Sequence, residues 1–330
     1  MKFFTTLLSF LLLAGSLTAA RFFVKPDGTG NGSSWEQATT LQQALSQAVS
    51  QDEIWATDGL YVVPVTDGRN STFTVPAGVK LYGGFAGTEI TLNHRMAGFH
   101  SVLSGDIGQP EVTADNVYTV VTLRSDNEQP SVFDGFLVTG GASRNFKDGL
   151  DVGSAGGGLY IEAGETLASH MIANCIFTGN KAHNGGAVLV DTGNPSFINC
   201  VFKGNTADFN GGAVYNQGTA SVANPIFRNC LFEDNSSNSG AGMTNNGSNG
   251  SANPLIVSCQ FIDNVSLMNG AAIYNISDDS GETQPVIQNS VFIGNDSILG
   301  EDVSDDGVTR SIAIKARQSQ GGTLTPVRRK

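Results

Sequence analysis

Between Phe177 and Asn295 the chain repeats one phrase five times, each copy a phenylalanine followed three residues later by an asparagine: Phe177 to Asn180, Phe202 to Asn205, Phe232 to Asn235, Phe261 to Asn264 and Phe292 to Asn295. A triplet of small residues alternates with it, as Gly156-Gly157-Gly158, Gly185-Gly186-Ala187, Gly211-Gly212-Ala213, Gly240-Ala241-Gly242 and Gly270-Ala271-Ala272. Successive phenylalanines lie 25, 30, 29 and 31 residues apart. A period of that size means one supersecondary unit stacked on copies of itself, so the chain must build a column and not a globule.

The unit is made of strands. No part of the repeat region keeps apolar residues at every third or fourth position over the ten or so residues that a helical repeat needs. Short runs of Val, Ile and Phe instead alternate with polar residues and are split by Asn, Asp, Gly and Ser clusters suited to turns. The leucine pattern of leucine-rich repeats is missing, and a propeller blade needs about 40 residues. The remaining solution is an all-β, single-stranded parallel β-helix, in which each coil lies on the one below at about 4.8 Å.

Aligning the repeats predicts what each coil buries. Pro195, Pro225, Pro254 and Pro285 open a strand, and the residues two further on, Phe197, Phe227, Ile256 and Ile287, point inward. The alternation then restarts in the opposite phase, which marks a corner. Beyond it Phe177, Phe202, Phe232, Phe261 and Phe292 form a buried file. Asn180, Asn205, Asn235, Asn264 and Asn295 fall where the chain turns; asparagine tolerates the left-handed conformation and can stack its amide on the next coil. The glycine triplets serve a second corner. Cys175, Cys200, Cys230 and Cys259 share one phase, with Ser290 in the fifth position, and are expected to be buried thiols; four thiols in a vertical line do not make a tetrahedral metal site.

The beginning of the chain has the three parts of an export signal: Met1-Lys2, the apolar run Phe3 to Leu13, and Thr18-Ala19-Ala20, which predicts residues 1–20 as a cleaved secretory signal peptide. No later stretch is long and apolar enough for a membrane helix. A formal charge of -12 argues against nucleic acid and anionic membranes as partners. Residues 21–316 are expected to form one continuous β-helix, with an N-terminal cap over 21–60 and the repeats over about 150–300, followed by a basic, disordered tail at 317–330. Within the cap, Thr40-Leu41-Gln42-Gln43 fits a capping box, and Leu41, Ala44, Leu45, Ala48 and Val49 make one apolar helical face.

These phrases carry a resemblance. The FxxN and GGA phrases resemble the repeats of polymorphic outer membrane proteins, autotransporter adhesins with a right-handed parallel β-helix passenger. The segments Phe23-Val24-Lys25-Pro26-Asp27-Gly28, Asp52-Glu53-Ile54-Trp55, Leu81-Tyr82-Gly83-Gly84-Phe85-Ala86-Gly87-Thr88-Glu89 and Phe133-Asp134-Gly135-Phe136 resemble secreted bacterial β-helices of the pectin-lyase-like class. The resemblance implies a right-handed β-helix that is secreted or associated with the cell surface and outer membrane. It implies two kinds of work: non-catalytic adhesion, or polysaccharide lyase or glycoside hydrolase activity.

For an enzyme, the candidates are His94, Arg95 and Lys147 as the basic set of a lyase, and Asp106 and Asp134 as the carboxyl groups of a hydrolase. The histidine-glycine and arginine-lysine phrases of pectin hydrolases are missing. For binding, the row Tyr160, Leu189, Tyr215, Thr244 and Tyr274 points outward, and Tyr160, Tyr215 and Tyr274 could stack on a glycan or pack on a surface protein of a host or neighbouring cell. A second outward row, Ile176, Val201, Leu231, Gln260 and Val291, is apolar except at Gln260 and would suggest a partner if exposed. No cofactor or metal motif is present. Calcium is the one ion to consider, from Asp278-Asp279-Ser280-Gly281-Glu282 and from Glu301-Asp302 with Asp305-Asp306-Gly307, although neither run fits an EF-hand or a nonapeptide repeat.

Overall fold

The structure, a computed structural model, describes residues 19–306 apart from 96–99, 111, 126–128, 144–155, 163, 165, 166, 168 and 279, together with the backbone of Ile312–Ile314. The expected signal peptide and most of the basic tail lie outside the described residues.

One coil shows how the sequence makes the fold. Strand Ser196–Ile198 ends at Asn199, whose φ of 54° turns the chain into Val201–Lys203; Gly204 at 64° turns it again into Thr206–Asn210; Gly211 at 66° leads to Val214–Gln217. Stacking such coils gives four sheets of ten, eight, five and eight parallel strands, called here the first to fourth in the order a coil visits them. Every described pairing between strands is parallel and runs from one coil to the next, which makes the chain a parallel β-helix.

Like residues lie on like. Phe177, Phe202, Phe232, Phe261 and Phe292 are register partners in the second sheet. Their rings stack at centroid separations of 5.3, 4.7, 4.4 and 5.0 Å. Phe197 stacks on Phe227 at 4.8 Å and meets Phe202 edge-on at 5.9 Å, so the first and second sheets lock together through aromatic contacts. Each fully buried ring contributes roughly 1.5–3 kcal/mol of transfer free energy. Cys175, Cys200, Cys230 and Cys259 are free and buried at the adjoining corner. Burial pushes the Cys200 thiol up, and its S–H points at the Ile198 carbonyl 3.5 Å away. Ser290 continues the file by accepting the Cys259 amide at 3.1 Å.

Asn180, Asn205, Asn235 and Asn264 are buried, Asn295 is half-buried, and the five form an amide ladder. Nδ2 of Asn180, Asn205, Asn235 and Asn264 donates to Oδ1 one coil on, at 3.2, 3.1, 2.9 and 2.9 Å. The second amide hydrogen goes to a backbone carbonyl, as from Asn235 to Phe202 at 2.9 Å. One expectation is corrected here: the left-handed residues are not these asparagines but their predecessors, Gly179, Gly204, Asp234, Asp263 and Gly294. The predecessor takes the bend, and the asparagine keeps an ordinary backbone with its amide aimed along the column.

A second interior ladder was not anticipated. In the fourth sheet the inward file Val75, Leu123, Ile161 and Val190 continues as Asn216, Asn245, Asn275 and Asp305. Nδ2 donates along it at 2.7, 2.8 and 2.8 Å. Its first acceptor, Asn216 Oδ1, is buried against the apolar half with no partner. A buried amide is tolerable only when bonded, so each asparagine depends on the next.

The helix Leu41–Gln47 buries Leu41, Ala44 and Leu45 in the same core. Thr40 Oγ1 accepts the Gln43 amide at 3.2 Å. The reciprocal half of the capping box does not form, because Gln43 Oε1 accepts the Thr39 hydroxyl at 2.8 Å. The apolar face stops short of Val49, which is 63% exposed because the helix ends at Gln47.

Candidate functional site

The residues proposed for catalysis are dispersed or already engaged. Asp134 ends strand Val132–Asp134, opposite Tyr82 of Lys80–Phe85 and Ala173 of Met171–Ala173. Arg95 donates from Nη1 and Nη2 to its two carboxylate oxygens at 3.2 Å each, and from Nη1 to the Gly83 carbonyl at 3.1 Å. Asn174 Nδ2 adds a bond to Asp134 Oδ1 at 3.1 Å. The carboxylate is buried and fully bonded, a corner clamp across three coils. His94 is exposed in a 3-10 turn, Leu92–His94. Asp106 follows strand Ser101–Ser104, which pairs with Phe136–Thr139, whereas Asp134 precedes that pair. Asp106 and Asp134 therefore stand at opposite ends of strands about 13 Å long, beyond the 9.5 Å or so across which two carboxyl groups act on one glycosidic bond. Lys147 lies outside the described residues.

The tyrosine row is not an open platform. Tyr215 and Tyr274 are only 6% and 7% exposed, Leu189 and Thr244 are buried, and Tyr160 is half-buried. The expectation of exposed rings is corrected: these side chains are buried, and the corner glycines pack against the base of Tyr215. A Cβ built on Gly185 or Gly211, both at positive φ, would lie 2.3 Å from the carbonyl oxygen of Val188 or Val214, so these turns need glycine, and they pass 3.2 and 3.1 Å from Tyr215 Cβ. Each hydroxyl is bonded. Tyr160 donates to Asp191 at 2.9 Å, Tyr274 to Asp306 at 3.0 Å, and Tyr215 accepts from Asn246 at 2.9 Å. Burial, with the Asp306 carboxylate, pushes the Tyr274 hydroxyl up to about 12.

The exposed face is elsewhere. On the second sheet the outward row of Ile176, Val201, Leu231, Gln260 and Val291 extends through Leu137 and Val102 to Leu60, one register partner per coil. Leu60 and Gln260 are exposed and the other six are half-buried. Seven coil steps make this row about 34 Å long. It is flanked on one side by an exposed amide ladder, Asn229 to Asn199 at 3.4 Å and Asn199 to Asn174 at 3.3 Å, which runs into the Asp134 clamp. On the other side stand polar residues such as Lys203, paired with Glu233 at 2.8 Å. The half of the row before Ile176 escaped the sequence reading because the early coils lack the FxxN phrase.

Sequence reading also missed His170, a wholly buried imidazole between coils. Its Nδ1 accepts the Ser131 amide at 3.0 Å, which leaves Nε2 to donate to Ser125 Oγ at 2.9 Å. Burial lowers its pKa to about 4. Among the described residues no three carboxylate, histidine or cysteine side chains converge as a metal would require. Asp278 instead accepts the Asn249 amide at 3.0 Å and the Ser280 hydroxyl at 2.9 Å.

Comparison with known proteins agrees with this geometry. The Chlamydia polymorphic membrane protein repeat matches residues 174–191 and 199–217, which span the second-, third- and fourth-sheet strands of two successive coils. No curated protein matches the sequence. Among solved structures, the crystal structure of pectate lyase Pel9A superposes with a TM-score of 0.53 at 14% identity, over 92% of this chain and 81% of that one. Geobacillus virus E2 ORF18 aligns with a TM-score of 0.39 at 15% identity, over 89% of this chain and 62% of its own, and supports no further argument. The chain is thus a parallel β-helix with the fold of a pectate lyase, and its central coils carry repeats similar to those of the polymorphic membrane proteins.

Proposed function

We propose that the protein is exported and acts outside the cell or at its surface as a non-catalytic scaffold, binding a surface protein of a host or neighbouring cell along the outward row from Leu60 to Val291. The observation that carries this reading is that row: seven aliphatic side chains, interrupted only at Gln260, aligned over about 34 Å, in place of the scattered surface hydrophobes of an ordinary monomer. Aliphatic side chains suit a protein partner better than a sugar, which favours aromatic rings, and this row holds none. The repeat match supports surface location, since it belongs to a family described as membrane proteins. The likeness to a pectate lyase speaks for the fold alone.

The test pairs Val201→Lys with Leu231→Lys. Purified double variant should keep the circular dichroism and melting temperature of the parent and lose at least tenfold in binding to intact cells. Equal binding would remove this face from consideration. The same preparations incubated with polygalacturonate and calcium should yield no unsaturated product; product that disappears on changing His94 or Arg95 would make the chain a lyase.

A further inference from the structure

The turns of the third sheet alternate in length. Four residues separate Asn180 from Gly185 and Asn235 from Gly240, whereas five separate Asn205 from Gly211 and Asn264 from Gly270. The extra residue is absorbed as a bulge: Ala182 pairs with Ala207, but Asn184 pairs with Asn210. A bulge breaks the alternation and re-aims a side chain. Phe209 therefore lies outside the column, 51% exposed, its ring stacked on that of His183 at 5.6 Å and 3°. Two coils on, the other long turn puts Leu267 and Met268 outside, 60% and 54% exposed.

The coil between them has a short turn. Its residue in this file is Asn238, whose amide donates to the Phe209 carbonyl at 3.0 Å and whose carbonyl accepts the Met268 amide at 2.8 Å. Asn238 is half-buried, and its side chain is shorter than those on either side. Phe209 and Met268 stand two coil steps apart, about 10 Å, and the phenylalanines of the second sheet stack at 4.4–5.3 Å. One planar ring therefore fits over Asn238, between the face of Phe209 turned away from His183 and the thioether of Met268, a favourable neighbour for an aromatic ring.

Charge selects what carries that ring. The third sheet and the strand ends leading into it hold two cations against five carboxylates. Lys181 pairs with Asp208 at 3.0 Å and Lys203 with Glu233 at 2.8 Å, which leaves Asp234, Asp263 and Asp296 in excess. An anionic lipid surface or a second copy of this acidic chain would be repelled.

We propose that this notch on the third sheet is a second docking site, separate from the row on the second sheet, for an aromatic side chain carried by a basic segment of a partner protein. The ring enters over Asn238 between Phe209 and Met268, and Lys or Arg next to it in the partner segment meets the excess carboxylates.

Fluorescence anisotropy of a dye-labelled peptide, one Trp with two Lys on either side, tests this. The parent should bind it saturably at submillimolar concentration and more weakly at high salt. It should bind the same peptide with Ala for Trp, or with Glu for Lys, at least tenfold more weakly. Phe209→Ala removes one wall and Asn238→Phe fills the notch from within, so each should weaken binding at least tenfold. Both positions lie on the surface, so circular dichroism and melting should match the parent; should one variant fail to fold, the other decides. Equal affinity in the parent and the folded variants, no saturable binding by the parent, or equal binding of the peptide without Trp would overturn the proposal. So would a neutral oligosaccharide or a phosphatidylglycerol vesicle that binds the parent more tightly than the peptide and is lost in the same variants.

Discussion

Lowering the pH from 7 to 5 should destabilise this protein through one imidazole. His170 has no exposed surface, its Nδ1 is filled by the Ser131 amide, and its pKa falls to about 4 through burial. A second proton on Nδ1 would set N–H against N–H. In the unfolded chain the same imidazole titrates near 6.5, so between about 4 and 6.5 the unfolded state binds more protons than the folded one. The stabilisation is complete above pH 6.5 and is lost as pH falls, at about 1.4 kcal/mol per unit. From pH 7 to 5 the loss integrates to about 2 kcal/mol, with a limit near 3 kcal/mol below pH 4. Urea unfolding at half-unit steps, set against His170→Gln, isolates the effect from the carboxylates, which titrate lower. The parent should lose about 2 kcal/mol more than the variant over that range. An imidazole resonance for His170 titrating near 6.5 in the folded protein, or identical pH slopes in the two proteins, would refute the reasoning.

Three further outcomes follow from the interior files. Asn235→Ala strips the Asn205 amide and side chain of their shared acceptor and frees the Phe202 carbonyl, so it should cost about 3–6 kcal/mol, whereas Asn199→Ala, in the exposed ladder, should cost under about 1 kcal/mol; parallel urea titrations compare them. Phe232→Ala should cost about 3–5 kcal/mol by the same assay, because both ring neighbours lose a stacking face. Tyr215→Phe should change stability by about 1 kcal/mol and leave cell binding untouched, since its hydroxyl meets only Asn246; a fall in binding would return the tyrosine row to the site.

Repetition made the column legible. Five phenylalanines in one phase, with a phase jump before each, require a coil with a corner, and the structure places those rings in one stack. Alternation also separates inward from outward residues, but it says nothing about what packs on the outside of a sheet; for that reason Tyr215 looked available while it is in fact buried, with the glycine turns against its base. Asn216, Asn245 and Asn275 stood in the inward phase from the start, yet asparagine in a glycine-rich segment reads as turn until a partner one coil away is known. Arg95 and Asp134 are 39 residues apart in coils without the FxxN phrase, and His170 has no repeat equivalent, so neither environment could be derived by aligning repeats.

The claim beneath all of this is that coils from one end of the chain to the other share a single register, which gives the outward row its length. Leu60 and Gln260 are exposed, lie in that row and are separated by six coil steps. Spin labels on Leu60→Cys and Gln260→Cys, with the four buried native thiols unreactive, measure the span by pulsed electron resonance. A single narrow distribution centred near about 29 Å is the predicted result. A broad distribution, or a maximum displaced by more than about two coil steps, would contradict the stacked register.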